Sequence, residues 1–224
     1  TTVAGNSDVE VMAGSFLFYD KAGTAYSSVK VGDAFNNLDG LSRKDMFRYD
    51  TPSFRGVSLA ASTSSYDGDN ANDIAIRYSG KLGETKLAAA ASYVKYQASD
   101  LSKENQYSGS VSVLFPVGLN LTAAYGNLSH DIASRSDASM IYGKIGYIAK
   151  IFEVGTTAVA VDYAVHDDVK ANGDKAKALG VQVVQKLSDW STELFASVRN
   201  YSMDRTGTDY EDVVAAMAGA RIKF

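Results

Sequence analysis

Apolar and polar residues alternate along most of this chain, in short segments separated by turn residues. Successive side chains of a strand point to opposite faces, so a period of two predicts β-strands with one apolar and one polar face. About eleven such segments follow residue 45, with boundaries uncertain by two to four residues. They are predicted at 46–50, 56–66, 73–79, 86–97, 107–115, 119–129, 139–148, 156–166, 177–187, 190–202 and 213–224.

Charged residues keep to one parity within these segments. In segment 156–166, for example, Val159 and Val161 alternate with Asp162 and His166. A soluble sheet buries its apolar face against a second layer, whereas a transmembrane barrel turns that face to lipid and its charged face to water. An isolated charge facing the bilayer midplane costs about 2–4 kcal/mol, so the charged parity should line water. The pattern favours an all-β transmembrane antiparallel β-barrel, with a soluble all-β binding protein as an alternative.

The connections between segments differ in length. Short connections at one end of the predicted strands are interleaved with longer polar ones at the other end, which is typical of membrane barrels. The longer connections carry more acidic than basic residues. They are predicted at 67–72, 98–106, 131–137, 167–176 and 203–212.

The composition argues against several classes of protein and of binding site. No window approaches the eighteen or so uninterrupted apolar residues of a membrane helix, and the mean hydropathy is -0.13. The chain has no cysteine, which excludes disulfides and thiolate metal sites, and its 14 Tyr and 9 Phe suit the aromatic girdles of a barrel. A net charge of -4 argues against nucleic acid as a partner.

Two stretches carry a resemblance to a known family. The sequence FNNLDGLSRKDMFRYDTPSFRGVSLAAS (Phe35 to Ser62) resembles the passage in Gram-negative general porins where the constriction loop returns to the barrel wall. The sequence IGYIAKIFEVGTTAVAVDY (Ile145 to Tyr163) and the terminal GARIKF look like the later part of such a porin. The resemblance implies a single domain, with an inward-folded constriction loop at 1–45 and barrel wall strands at 46–224.

The resemblance also sets an expectation for the number of strands. General porins have sixteen, five of them before the inward loop, so eleven would remain in a chain that begins within this loop. Thr1 is not an initiator methionine, and we expect the chain to be processed or incomplete. The alternative is a self-contained barrel of twelve strands that recruits the extended run 9–19 as its first strand, because bacterial barrels use even strand numbers.

The function that this family implies is passive diffusion of ions and small hydrophilic solutes across the outer membrane of a Gram-negative cell. It also implies a homotrimer, surrounded by outer-membrane lipids and lipopolysaccharide, with Phe224 at the periplasmic edge. The alternative function is a substrate-specific outer-membrane channel with a saturable site. An enzyme is not expected, because His130 and His166 each lack the partners of a catalytic triad in the sequence pattern.

The candidate site is the lining of the pore. The resemblance implies that carboxylates of the inward loop, at Asp20, Asp33 and Asp39, face the lumen. Parity places basic and acidic residues of the wall on the same water-filled side, where basic wall and acidic loop would create a transverse field. Since the visible wall is net basic, we predict mild anion preference or weak selectivity. The wall residues are Arg48, Asp50, Arg77, Lys144, Asp162, Arg199 and Arg221.

No cofactor is expected. The acidic outer loops are a candidate for calcium that bridges to lipopolysaccharide phosphates, because calcium prefers carboxylate oxygens. The run from Asp67 to Asp73 is rich in Asp and Asn but lacks the sixth-position glycine and the twelfth-position glutamate of a calcium-binding loop. An acidic turn is the better interpretation of this run.

Overall fold

A computed structural model describes residues 13–40, 45–66, 69–98 and 102–222 of the chain. Within these residues, fourteen strands belong to one sheet with antiparallel neighbours. Eleven of the strands correspond to the eleven predicted segments. They are β3 (Phe47–Asp50), β4 (Val57–Tyr66), β5 (Asp69–Leu82), β6 (Thr85–Gln97), β7 (Lys103–Leu114), β8 (Leu119–His130), β9 (Ala138–Phe152), β10 (Gly155–Asp167), β11 (Lys175–Leu187), β12 (Thr192–Arg205) and β14 (Val213–Ile222).

Several strands extend beyond their predicted ends. The strand predicted at 73–79 spans Asp69–Leu82. The prediction of a loop at 203–212 is wrong, because this range contains strand β13 (Thr208–Glu211), which pairs with the end of β12. These added residues are mostly polar and carry no apolar alternation. Where a strand extends beyond the lipid-facing region, both of its faces are in water. Its residues there do not alternate between apolar and polar, which is the pattern on which the prediction depended.

The first described residues form a hairpin and a short helix. Strand β1 (Leu17–Asp20) pairs with β2 (Ala25–Lys30), and helix α1 (Val31–Ala34) follows directly. A 3-10 helix (Ser188–Trp190) lies between β11 and β12. Neither β2 nor α1 was expected from the sequence. In the described part of the chain, no helix has the length and apolar character needed to cross a membrane.

Strand order follows the sequence from β3 to β12. On its other side, β12 pairs with two strands. Its last residues, Asp204 and Arg205, pair with β13, and residues 192–201 pair with β14. Strand β1 joins the sheet by pairing with β13, at Tyr19↔Glu211 and Asp20↔Tyr210. Among the described residues, β3 lies at one edge and the sheet is not closed.

The sheet geometry bears on the alternative with twelve strands. This alternative needs the run 9–19 to form a full strand of the wall. The run begins outside the described residues, and in its described part only Leu17–Asp20 is strand, pairing with β2 and β13. The described residues therefore do not form the closed barrel of twelve strands. The terminal Phe224 also lies outside the described part of the chain.

The two faces of the wall differ as the alternation predicts. Val161, Val181 and Val198 lie opposite one another on β10, β11 and β12, and they are 43%, 56% and 52% exposed. The neighbouring residues Asp162 and Arg199 point to the other face and are buried. Exposed apolar side chains that continue across neighbouring strands in this way are unusual for a soluble monomer. The outer face of the wall is therefore apolar, and the inner face carries the charges.

The segment from residue 13 to residue 38 packs on the inner face of the wall. Its apolar side chains, including Phe18 and Phe35, form one buried cluster with Tyr201 and Met203 of β12. Small side chains on the facing strands leave room for the segment. These alanines are Ala164, Ala176, Ala178 and Ala215.

The end of this segment contacts the wall a second time, on β8. Leu38 is 1% exposed, and a Cβ atom built on Gly126 would lie 2.7 Å from the Leu38 Cβ atom. Only glycine leaves enough space at this point of β8. The Asn36 side chain also accepts a hydrogen bond from the Leu38 backbone amide at 2.8 Å. Residues 35–38, which we call the strap, therefore run from β12 to β8 across the inner face.

Charge on the outer face should destabilise the protein in lipid. We expect Val181→Arg to lower the free energy of unfolding in lipid vesicles by about 2–4 kcal/mol, because Val181 lies in the middle of β11 on the apolar face. Urea titration followed by tyrosine and tryptophan fluorescence measures the change. Ser110→Arg on β7 is the control, since Ser110 lies on the inner face, and equal losses for both variants would contradict the division of the wall into two faces.

The contact between the strap and β8 can be tested by cross-linking. The chain has no cysteine, so Leu38→Cys combined with Gly126→Cys gives one thiol pair, and a small displacement brings its Cβ atoms to the usual 3.5–4.5 Å of a disulfide. We expect a disulfide under mild oxidation in membranes, detected as altered mobility of the unfolded protein. Leu38→Cys with Gly109→Cys on β7 should not cross-link. Absence of the first cross-link would contradict the position of the strap.

Candidate functional site

The inner face of the wall and the strap enclose a cavity of about 580 Å³. On the side of β4 to β8, small and hydroxyl side chains line it, and charged groups lie on β3, β5 and β12 and at Asp39 beside the strap. Polar groups of this kind bind water and leave space for solutes. The hydroxyl residues are Ser62, Ser64, Ser92, Ser108, Ser110 and Thr122.

Two of the predicted basic residues share one carboxylate near the β3 edge. Arg48 donates from Nε and Nη2 to Asp50, at 2.6 and 2.8 Å, and Arg77 donates from Nη1 to Asp50 Oδ1 at 3.2 Å. The three side chains are between 44% and 47% exposed. Two cations on one anion leave this group with a net positive charge. The sequence placed all three residues on the inner face, and the structure brings them together.

A second group of predicted residues lies on β10 and β12. Arg199 forms an ion pair through Nη2 with Asp162 Oδ1, and Gln182 Nε2 donates to Asp162 Oδ2 at 3.0 Å. The Asp162 side chain is fully buried and that of Arg199 is 8% exposed. The guanidinium carbon of Arg199 also lies 5.9 Å from the centre of the Tyr201 ring. Arg199 lines the cavity, with its carboxylate partner behind it.

The remaining wall residues flank these groups. Lys144 on β9 is directly opposite Asp162 in the register and is 7% exposed. Arg221 on β14 pairs with Glu193 of β12, its Nε 3.3 Å from Glu193 Oε2. Both therefore lie on the inner face, away from the Arg48 group.

The three predicted loop carboxylates have different surroundings. Asp20 accepts hydrogen bonds from the backbone amides of Ala22 and Gly23, at 2.9 and 3.1 Å, so it stabilises its own turn. Asp33 forms an ion pair with Lys170 at 3.3 Å. Asp39 alone of the three borders the cavity. The lumen-facing role implied for these residues stays a prediction.

Polar contacts join the outer connections to one another. Asn172 donates to the Ser134 carbonyl at 2.7 Å and accepts from the Ser136 amide at 2.9 Å, so the connections 131–137 and 168–174 are linked. Arg205 makes two hydrogen bonds of 2.6 Å to Asp174. No group of three or more metal-ligating side chains occurs among the described residues. Calcium at the outer acidic loops stays a prediction.

Some residues of the site were not identified from the sequence. The rings of Phe35 and His166 are 5.0 Å apart, those of Phe35 and Tyr201 are 5.3 Å apart, and both contacts are close to perpendicular. The His166 ring also hydrogen-bonds to the backbone of Asn36. The inward positions of the wall strands are mostly polar, but some carry aromatic or small residues. These residues were the signal in the sequence that could have predicted the contact with the strap.

A model of Gram-negative porins matches residues 3–206 of the chain. No curated protein sequence is significantly similar to it. Solved structures resemble its fold at low identity. OccAB3 of Acinetobacter baumannii has a TM-score of 0.60 and 9% identity, over 94% of this chain and 60% of its own length.

Two further structures support the same fold. OccK8 (OprE) of Pseudomonas aeruginosa has a TM-score of 0.57 and 10% identity, over 88% of this chain and 63% of its own length. An anion-selective porin from Comamonas acidovorans has a TM-score of 0.54 and 16% identity, over 79% of this chain and 59% of its own length. The chain thus spans about three fifths of these porins. The fold is that of a transmembrane β-barrel, and the chain belongs to the Gram-negative porin family.

Proposed function

We propose that the protein is an outer-membrane diffusion channel for ions and small hydrophilic solutes. The observation that supports this most directly is the cavity on the inner face, which is lined by hydroxyl groups and by fixed charges of both signs. Family membership supports a location in the outer membrane and a channel that catalyses no reaction. The apolar outer face is then in contact with lipid.

The charges of the cavity support weak selectivity or a mild preference for anions. Arg48 and Arg77 share the single carboxylate of Asp50, so one positive charge of this group is not balanced within it. Asp73, which accepts a hydrogen bond from Ser62, lies on the same face as Arg48 with Ser62 between them in the register, so it offsets part of this charge. Asp39 supplies negative charge beside the strap. Opposite charges on different sides of a water-filled passage act on the orientation and concentration of passing ions.

A substrate-specific channel with a saturable site is the second candidate. Tyr142 lines the cavity and is only partly buried, so its ring, which lies near Arg199, offers a surface on which a planar solute could stack. A solute that binds there should reduce ion conductance in a saturable manner. A channel for general diffusion should show no such competition across a panel of sugars and carboxylic acids.

Association with other molecules follows from the family resemblance. We propose a homotrimer in contact with lipopolysaccharide, whose phosphates calcium would bridge to the acidic outer loops. Intact mass of the assembly in detergent measures the oligomer. Loss of thermal stability on chelation, restored by calcium, measures the contribution of the metal.

Removal of one positive charge from the cavity should shift selectivity toward cations. We expect Arg77→Gln to lower the ratio of chloride to potassium permeability roughly twofold, as estimated for one charge acting across water at about 10 Å. Reversal potentials of single channels in a potassium chloride gradient measure the ratio. Arg55→Gln, in the turn between β3 and β4, is the control with the same change of charge. Strong cation selectivity of the unmodified protein would contradict the proposed field.

A further inference from the structure

The ion pair between Asp162 and Arg199 crosses an intervening strand. Asp162 lies on β10 and Arg199 on β12, and both are opposite Gly180 of β11 in the register. Neighbouring strands are about 4.8 Å apart, so the two backbones are separated by about 10 Å. The long arginine side chain covers this distance only if the residue between the two partners does not occupy the inner face.

Gly180 leaves this space open. A Cβ atom built on Gly180 would lie 2.8 Å from Asp162 Oδ2 and 2.9 Å from Arg199 Nε. Both distances are too short for carbon in contact with nitrogen or oxygen, so any side chain at this position must displace the pair. The two atoms belong to side chains and not to backbone. The wall can therefore keep its ladder while the ion pair changes.

The ion pair determines how much of the Arg199 charge reaches the cavity. Asp162 is fully buried and is held by Gln182, so it can approach Arg199 but cannot itself reach the cavity. Lys144, on the opposite side of Asp162, would remain a basic neighbour of the carboxylate if Arg199 moved. Arg199 borders the cavity and would turn toward its water, because an unbalanced charge is poorly solvated inside the wall.

We propose that Gly180, which has no charge and no side chain, determines the ion selectivity of the channel by allowing Asp162 to neutralise Arg199. This inference rests on the proposed channel function. A side chain at position 180 separates the pair and adds positive charge to the cavity. The same result follows when Asp162 loses its charge. Gly180 is therefore a positioning residue that acts through Arg199.

The test is the reversal potential of Gly180→Ala in a potassium chloride gradient. The ratio of chloride to potassium permeability should rise roughly twofold, by the same estimate for one charge across water. Gly143→Ala on β9 is the matched control, because a Cβ atom there would have no atom within 4 Å, and its ratio should equal that of the unmodified protein. An unchanged ratio for a folded, conducting Gly180→Ala protein would overturn the proposal.

Two further variants separate this mechanism from a general disturbance of the wall. Asp162→Asn keeps the shape of the side chain and should raise the ratio in the same direction, and an unchanged ratio there would overturn the proposal even if Gly180→Ala failed to assemble. In an Arg199→Gln background, Gly180→Ala should have no further effect on the ratio. Absence of any conductance in the unmodified protein would instead refute the channel function itself.

Discussion

The structure depends on the requirement that a wall strand in lipid satisfy its backbone hydrogen bonds through the strands beside it. In hydrocarbon no water replaces a missing partner, so the ladder must be continuous wherever lipid lies outside. The long registers between consecutive strands, such as the thirteen pairs of β11 with β12, meet this requirement. Once the ladder is fixed, parity alone assigns each side chain to the lipid face or to the inner face.

The inner face is not uniformly polar, because the segment from residue 13 to residue 38 packs against part of it. Where segment 13–38 lies against β10, β11 and β12, the wall carries alanine and aromatic residues in place of charges. Ala164 and Ala178 leave space for the segment, while Tyr201 is completely buried beneath it. The contact surface thus combines alanines and buried aromatic side chains of the wall with the apolar side chains of the segment. The cavity is the space that this packing leaves toward β4 to β8.

The sequence was sufficient for the wall because the wall obeys a period of two. The parity of Val161, Asp162 and Arg199 was correctly predicted, as was each of the eleven segments. Strands β2 and β13 were missed because the residues of this region are placed by tertiary contacts. Phe18 is completely buried against Tyr210, for example, although the two are far apart in the chain. Contacts of this kind leave no periodic signal.

Which charged residues pair with one another is harder to predict from the sequence than the face on which each of them lies. Parity places Arg48, Arg77 and Arg199 on the same face and makes them equivalent. In the structure the first two share Asp50, whereas Arg199 pairs with Asp162 across β11, where Gly180 leaves the space open. A sum of charges along the inner parity therefore gives the total charge of the wall but not the position of the unbalanced charge. The effective charge at a point of the cavity depends on which residues lie opposite one another on neighbouring strands and on the size of any residue between two partners. Both depend on the register of the sheet, so the sequence of a single strand does not reveal them.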